Sequence, residues 1–184
     1  MLGTPRSSAS WLIHLPVPLA PAVSRIVYEF PQRGSQPPLT VVWLDGELTP
    51  PRPFDLDAGT PWPPGSSGQL WIGDEGTLVA GIYGEEPYLA NSERHQALLS
   101  DPPSKQYPRT DGVYAEWITA CKNGGKAGSD FAEHSGPLTE MVLLGNLAVR
   151  TQQALEFDHR TGQVTNVTVP GELFRSEYRE GWSF

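Results

Sequence analysis

The stretch Gly136–Arg150 reads GPLTEMVLLGNLAVR, and it decides the fold. Gly136 and Pro137 open a helix, because proline fits the first turn, where its missing N–H would have had no partner. Glu140 falls near the positive N-terminal end of the helix dipole and Arg150 near the negative C-terminal end. At about 100° per residue, Thr139, Asn146 and Arg150 share one narrow stripe, and nearly everything else is apolar. A helix patterned this way is expected to be mostly buried. Gly145 then needs a reason, since glycine inside a helix costs about 1 kcal/mol against alanine. It falls on the apolar side with Met141, Val142, Ala148 and Val149, which predicts close approach of the helix backbone to a sheet.

Upstream of this helix the chain supplies the sheet. Arg25–Phe30 alternates Ile26, Tyr28 and Phe30 against Val27 and Glu29, the pattern of a half-buried strand. Leu39–Leu44 is a second strand, closed by the turn signal Asp45-Gly46. Thr49–Gly68 holds much of the proline and reads as a long irregular loop, at most a strap on a sheet edge. Gln69–Asp74 and Thr77–Tyr83 form a hairpin around Asp74-Glu75-Gly76, with a short strand at Tyr88-Leu89. Ser92–Leu99 reads as a short helix. Asp111 is placed to cap a helix over Gly112–Lys122, and Gly124 to end it. Downstream, Ala154–Phe157 and Val164–Val169 read as strands around the turn Asp158–Gly162. Gly171–Glu180 is expected to close the chain as an amphipathic helix on Leu173, Phe174 and Tyr178. The sum is an α+β fold: an open, mostly antiparallel β-sheet with helices packed on one face. Residues 1–24, rich in Ser, Pro and Ala without period, read as an unstructured or weakly packed leader. That leaves 25–184 as the domain.

Composition narrows the function classes. The 184 residues carry 13 Lys and Arg against 21 Asp and Glu, a net charge of 13 − 21 = −8. That sign argues against a nucleic-acid surface, which needs a basic patch to neutralise phosphates. Nineteen Gly and nineteen Pro indicate many loops, while six Trp, six Tyr and six Phe supply core material that disordered chains lack. The single Cys121 excludes an intrachain disulfide and a Cys-based metal site. Its place on the apolar face of the Gly112–Lys122 helix reads as packing, as do Trp43, Trp71 and Trp117. No run approaches the roughly 20 apolar residues of a membrane helix. Trp11–Val23 looks superficially like the apolar core of a signal peptide, but Pro16, Pro18 and Pro21 break it. The expectation is a cytoplasmic protein with no membrane partner.

The core helix also carries a resemblance. ACKNGGKAGSDFAEHSGPLTEMVLLGNLAVRT, followed by LEFD and FRSEYREGW, resembles the C-terminal end of bacterial oxidoreductases of the Gfo/Idh/MocA family. RIVYEFPQRG, VVWLDGELTPPRP and GTLVAGIYGEEPYL are similar to the sheet region of that family's C-terminal domain. The likeness runs from about Arg25 to Phe184. It implies a domain that completes a sugar pocket and carries oligomer contacts, a homodimer or higher homo-oligomer formed through the sheet. NAD(P) would belong to a Rossmann domain outside this stretch, on a separate polypeptide if the enzyme is split.

Chemistry in the chain itself is sparse. A dinucleotide turn needs G-x-G-x-x-G, and no two glycines here stand two residues apart. NGGKAGS at Asn123–Ser129 hints at a phosphate loop but fails the Walker pattern. The resemblance places hydride transfer on an E-K-P lysine that does not occur here, and on a D-x-x-x-H motif. Asp130-Phe-Ala-Glu-His134 has that spacing in a different context, so no catalytic residue is assigned. Asp130 and His134 remain as substrate-binding candidates bordering a sugar cleft, where a histidine hydrogen-bonds a hydroxyl or takes a proton near neutral pH. His14, His95, His134 and His159 are too scattered for a metal motif. Two other readings stand beside the enzyme-domain one. The first is a non-catalytic binding or scaffold module using its sheet, and the second is an unrelated chemistry centred on His134.

Overall fold

The structure is a computed structural model that describes residues 6–9, 21–107, 109–174 and 178–182. In chain order the strands and helices are β1 (Arg6–Ala9), β2 (Ser24–Phe30), β3 (Leu39–Asp45), β4 (Gln69–Gly73), β5 (Gly76–Ala80), β6 (Tyr88–Leu89), α1 (Ser92–Ser100), α2 (Val113–Asn123), α3 (Gly136–Thr151), β7 (Leu155–Asp158) and β8 (Gln163–Val164). A π-helical turn, Phe131–Ser135, runs directly into α3, and Gly171–Leu173 is a single 3-10 turn. The class is α+β, as the patterning predicts, but the strands form two small antiparallel sheets. The chain divides into two compact units, Met1–Leu48 with Trp117–Phe184, and Thr49–Glu116.

The first unit holds a five-stranded sheet in the order β3-β2-β1-β7-β8, with every neighbour antiparallel. In β2 the alternation holds at Ile26 and Tyr28, which are buried along with Ser24, while Phe30 is only half-buried. Leu155 and Phe157 do the same in β7. The helix α3 lies against β1 and β2, and its Leu147 and Ala148 join Leu155 in the core, flanked by Val164, Val167, Val169 and Leu173. Complete burial of a leucine such as Leu155 contributes about 1.5–3 kcal/mol.

Gly145 is where helix and sheet meet. A Cβ at this position would stand 2.9 Å from Tyr28 Cζ and 3.3 Å from Ile26 Cδ1, and closer still to Tyr28 Oη. The tyrosine is only 3% exposed, and burial pushes its phenol pKa up. The glycine thus makes room for a neutral phenol beneath the helix.

The second unit builds its own sheet, in the order β4-β5-β6, over a core of Leu56, Val79 and Ala90 with Trp62, Leu70 and Tyr88 packed around it. The loop Thr49–Gly68 is more than a strap, since it contributes Leu56 and Trp62 to that core. Arg52 fastens it from within, donating to the carbonyls of Thr60 at 2.6 Å and Asp57 at 2.7 Å. Trp62 Nε1 donates to Pro50 O at 2.9 Å.

Several expectations need correction. Arg6–Ala9, inside the segment read as a leader, is the strand between β2 and β7, and Ser24 already belongs to β2. The rest of that segment, at 1–5 and 10–20, lies outside the described residues. RSSA gives no apolar alternation, so its pairing through backbone hydrogen bonds leaves no trace in the side-chain pattern. The expected final helix is reduced to the 3-10 turn at Gly171–Leu173; residues 175–177 lie outside the described residues, and 178–182 are not helical. The first bond of α2 runs from Glu116 N–H to Gly112 O, so Gly112 stands at the cap in place of Asp111 and the helix begins at Val113, one residue later than expected. Gly124 ends α2 as foreseen, at φ 68°. Cys121 is exposed. Trp43, Trp71 and Trp117 are about half exposed, not core. The helix α3 is less buried than its stripe suggests, because Leu138, Val142 and Leu143 also face solvent.

Filling the gap at residue 145 should weaken the fold. Gly145→Leu is expected to destabilise by several kcal/mol through overpacking, read by urea unfolding. Gly145→Ala should also destabilise despite alanine's better helix propensity, and Tyr28→Phe should recover part of that loss by removing the nearest atom. A more stable Gly145→Ala protein would mean that the position is not crowded.

Candidate functional site

The two substrate-binding candidates share the π-helical turn at the head of α3. The Oδ1 atom of Asp130 accepts the N–H groups of Ala132 and Glu133, each at 2.9 Å, so the carboxylate caps the turn. The carbonyl of Asp130 accepts the N–H groups of His134 at 3.2 Å and Ser135 at 2.9 Å. The Ser135 hydroxyl donates to Ser129 O at 2.9 Å, and the Thr139 hydroxyl donates to Ser135 O at 2.7 Å. Asp130 is therefore half-buried and engaged by backbone, while His134 is exposed on the turn that Asp130 shapes. The D-x-x-x-H spacing brings the pair together as cap and passenger, with no side-chain bond between them among those described.

Lys126 and Glu133 form an exposed ion pair beside this turn. The hydrogen bond to Glu133 raises the Lys126 pKa above its ordinary value, and the charges of Glu133 and Asp130 add to it. The loop Asn123–Ser129 thus directs its lysine to a carboxylate of the protein.

A second pair was not signalled by the sequence. His159 Nδ1 and Glu140 Oε1 stand 2.6 Å apart, each side chain about one-third exposed. The contact ties the turn after β7 to the first half of α3. Beside it Asp158 Oδ1 accepts the Arg160 N–H at 2.9 Å. That backbone bond, against a smaller desolvation effect, holds the Asp158 carboxyl below its ordinary range, with Thr161 and the Arg160 charge assisting. Nineteen residues separate Glu140 from His159, so only the return of β7 alongside α3 brings them together.

The second unit holds a polar cluster of its own. Asp55 Oδ2 accepts the Thr77 N–H at 2.8 Å. Its Oδ1 and the hydroxyl of Thr77, a residue 1% exposed, are buried without a hydrogen-bond partner among the described residues. A Cβ on Gly76 would lie 2.8 Å from both Asp55 Oδ2 and Arg94 Nη1, so glycine there lets the carboxylate and the guanidinium converge. Desolvation pushes the Asp55 pKa up, but the Thr77 N–H, the neighbouring Thr77 hydroxyl, its own backbone and the Arg94 charge outweigh it, and the net shift is downward. Nearby, Asp57 Oδ2 accepts the Ser92 N–H at 3.1 Å, and Asn91 Oδ1 accepts the Arg94 N–H at 2.9 Å, capping α1. These groups organise loop, hairpin and helix within the unit. No sequence motif marked them, because Asp55 sits in a proline-rich loop far along the chain from Thr77 and Arg94.

Among the described residues, no group of three or more His, Cys, Asp or Glu side chains is arranged to hold a metal ion, and no helix is long and apolar enough to cross a membrane. Comparison with protein-family models and with curated proteins returns no match.

The downward shift at Asp55 fixes a sign for pH dependence. A carboxyl whose folded pKa lies below its unfolded value of about 3.9 stabilises the fold above that value and loses the contribution as pH falls through the folded pKa. Asp55→Asn should therefore lower Tm at pH 7, and the gap to the native protein should narrow as pH falls below about 4. Thermal unfolding across that range checks it; a gap independent of pH would contradict an ionised Asp55 as its source.

Proposed function

We propose that this chain is the substrate-facing and assembly domain of a Gfo/Idh/MocA-type NAD(P)-dependent sugar or polyol oxidoreductase, with no catalytic activity of its own. The observation that carries the reading is the packing of α3. The LTEMVLLGN run, one of the pieces that carry the resemblance, lies across an antiparallel sheet with Gly145 against Tyr28. The resemblance implies an open, mostly antiparallel sheet with helices packed on one face, and α3 over β1 and β2 supports that much of it.

In this reading the turn at the head of α3 borders the sugar. Asp130 holds the turn in shape, and the exposed His134 offers an imidazole to a hydroxyl. In this reading the dinucleotide and the lysine that assists hydride transfer belong to a Rossmann domain outside this stretch, because neither G-x-G-x-x-G nor E-K-P occurs in it. Self-association through a sheet face is supported by the hairpin of the second unit. There the register sets Trp71 beside Leu78 and Leu78 beside Leu89, on the face opposite Leu70 and Val79, and Trp71 is 58% exposed. Exposed apolar patches of this kind usually mark an interface, and a two-fold dimer is the default closed solution. The absence of a metal ligand set or a dinucleotide turn in the sequence is compatible equally with a non-catalytic scaffold module. The reading places the protein in the cytoplasm.

Titration separates these readings. The purified chain should bind neither NAD nor NADP by calorimetry. A panel of sugars and polyols should shift the His134 ring resonances in NMR spectra, and His134→Ala should abolish the response at neighbouring amides. Micromolar binding of either nucleotide would overturn the proposal. A panel that leaves the 130–135 turn unmoved would favour the scaffold module.

A further inference from the structure

The outer edge of the five-stranded sheet is built to accept another strand. The edge strand is β3, LTVVWLD, seven residues long and without Pro, Lys or Gly. Among the described residues, no strand pairs with its outer side, so its outward N–H and C=O groups form an open ladder. Proteins ordinarily blunt such an edge with a charge, a proline, a bulge or a short strand. Here the pairing with β2 is continuous from Leu39 to Asp45 without a bulge. Five of the seven residues are exposed, among them Leu39 at 44%, Val42 at 44% and Trp43 at 49%. The only charge on the strand is Asp45, and its Oδ2 accepts the Ser24 hydroxyl at 2.8 Å on its own sheet. The other end of that sheet, β8, is two residues long and offers no comparable ladder.

The ends of the strand define what fits. Pro37 and Pro38 precede Leu39 and cannot donate to a ladder. At the other end Gly46, at φ 68°, turns the chain away. The open segment is therefore bounded at Leu39 and Asp45, with Val42 at its centre. An antiparallel copy of the same strand, related by a two-fold axis at Val42, uses all seven residues. It sets Leu39 opposite Asp45, Thr40 opposite Leu44, Val41 opposite Trp43 and Val42 opposite itself. No like charges meet, and apart from the end pairs of Leu39 with Asp45 the apolar residues meet β-branched or apolar partners, the pairs that stabilise antiparallel ladders. Directly opposite residues share a face, so both copies keep α3 on the same side of one continuous sheet.

We propose that β3 is a self-complementary interface through which two copies of this chain join their five-stranded sheets edge to edge. The inference stands apart from the assembly reading above, which concerns a sheet face in the second unit. It uses a different surface and a different contact, backbone hydrogen bonding.

Disulfide trapping tests it. In a Cys121→Ser background, which removes the only native thiol, Val42→Cys puts a thiol on the two-fold axis. Directly opposed residues of antiparallel strands have Cα atoms about 4.5–5.5 Å apart, within disulfide reach. The control is Val27→Cys, since Val27 is the direct neighbour of Val42 on β2 and shares its face. In an edge-paired dimer the two copies of residue 27 lie about three strand spacings, roughly 14 Å, apart, too far to link. Mild oxidation should convert most of the Val42→Cys protein, and almost none of the Val27→Cys protein, to a covalent dimer of twice the 20.1 kDa chain. Failure of residue 42 to link in a folded protein, or equal linking at 27, would overturn the proposal. Equal linking would indicate packing of sheet faces. Hydrogen exchange on the unsubstituted protein gives an independent reading. The alternate β3 amides that point out of the sheet should gain protection at high concentration and lose it on dilution, and exchange independent of concentration would equally overturn it. Neither readout depends on sugar or nucleotide binding, so it can fail or succeed separately from the functional reading.

Discussion

The separation between α3 and β2 is set by the side chain that residue 145 lacks. Tyr28 stands under the helix where a Cβ would otherwise be, and the helix backbone settles onto a phenol that is almost wholly buried. The cost of glycine in a helix, about 1 kcal/mol, is offset by close packing over β2. The rest of the first unit follows from that approach. Leu147 and Ala148 reach Leu155, β7 returns beside β1, and the turn after β7 meets Glu140 through His159. The head of the same helix carries the turn with Asp130 and His134. One contact thus fixes both the core and the placement of the candidate site.

Much of the fold could be read from side-chain periodicity, and the exceptions share a cause. The strands β2, β3, β4 and β5 and the helices α1, α2 and α3 all appear where alternation or helical spacing places them, within a few residues. Gly145 predicted its close neighbour, although the sequence did not say that the neighbour is Tyr28. The strand β1 was missed because RSSA has no apolar face and joins the sheet through its backbone. The split into two sheets was missed because local pattern shows that a strand exists, not which strand it pairs with. Trp43, Trp71 and Trp117 read as core because they fall in strands and a helix, but burial depends on what the sheets and helices leave uncovered.

The candidate site was partly legible. Asp130 and His134 share one turn, and the hydrogen bonds distinguish their parts: one carboxylate oxygen caps two amides while the imidazole is exposed. The Glu140–His159 pair and the Asp55–Thr77–Arg94 cluster were invisible, because their members meet only through tertiary structure. The exposed apolar side chains speak to assembly more than to chemistry. Some lie on the face of one sheet, on the edge strand of the other, and along α2 at Val113, Tyr114, Trp117 and Ile118.

The central claim is that α3 rests on the sheet through Gly145 and Tyr28. The most direct measurement is a NOESY spectrum of the purified chain with the Gly145 α-protons and the Tyr28 ring assigned. The packing described here predicts strong cross-peaks between them, with a weaker set from the Ile26 δ-methyl to the same α-protons. A dispersed spectrum of folded protein lacking the Gly145–Tyr28 cross-peaks would contradict the account at its root.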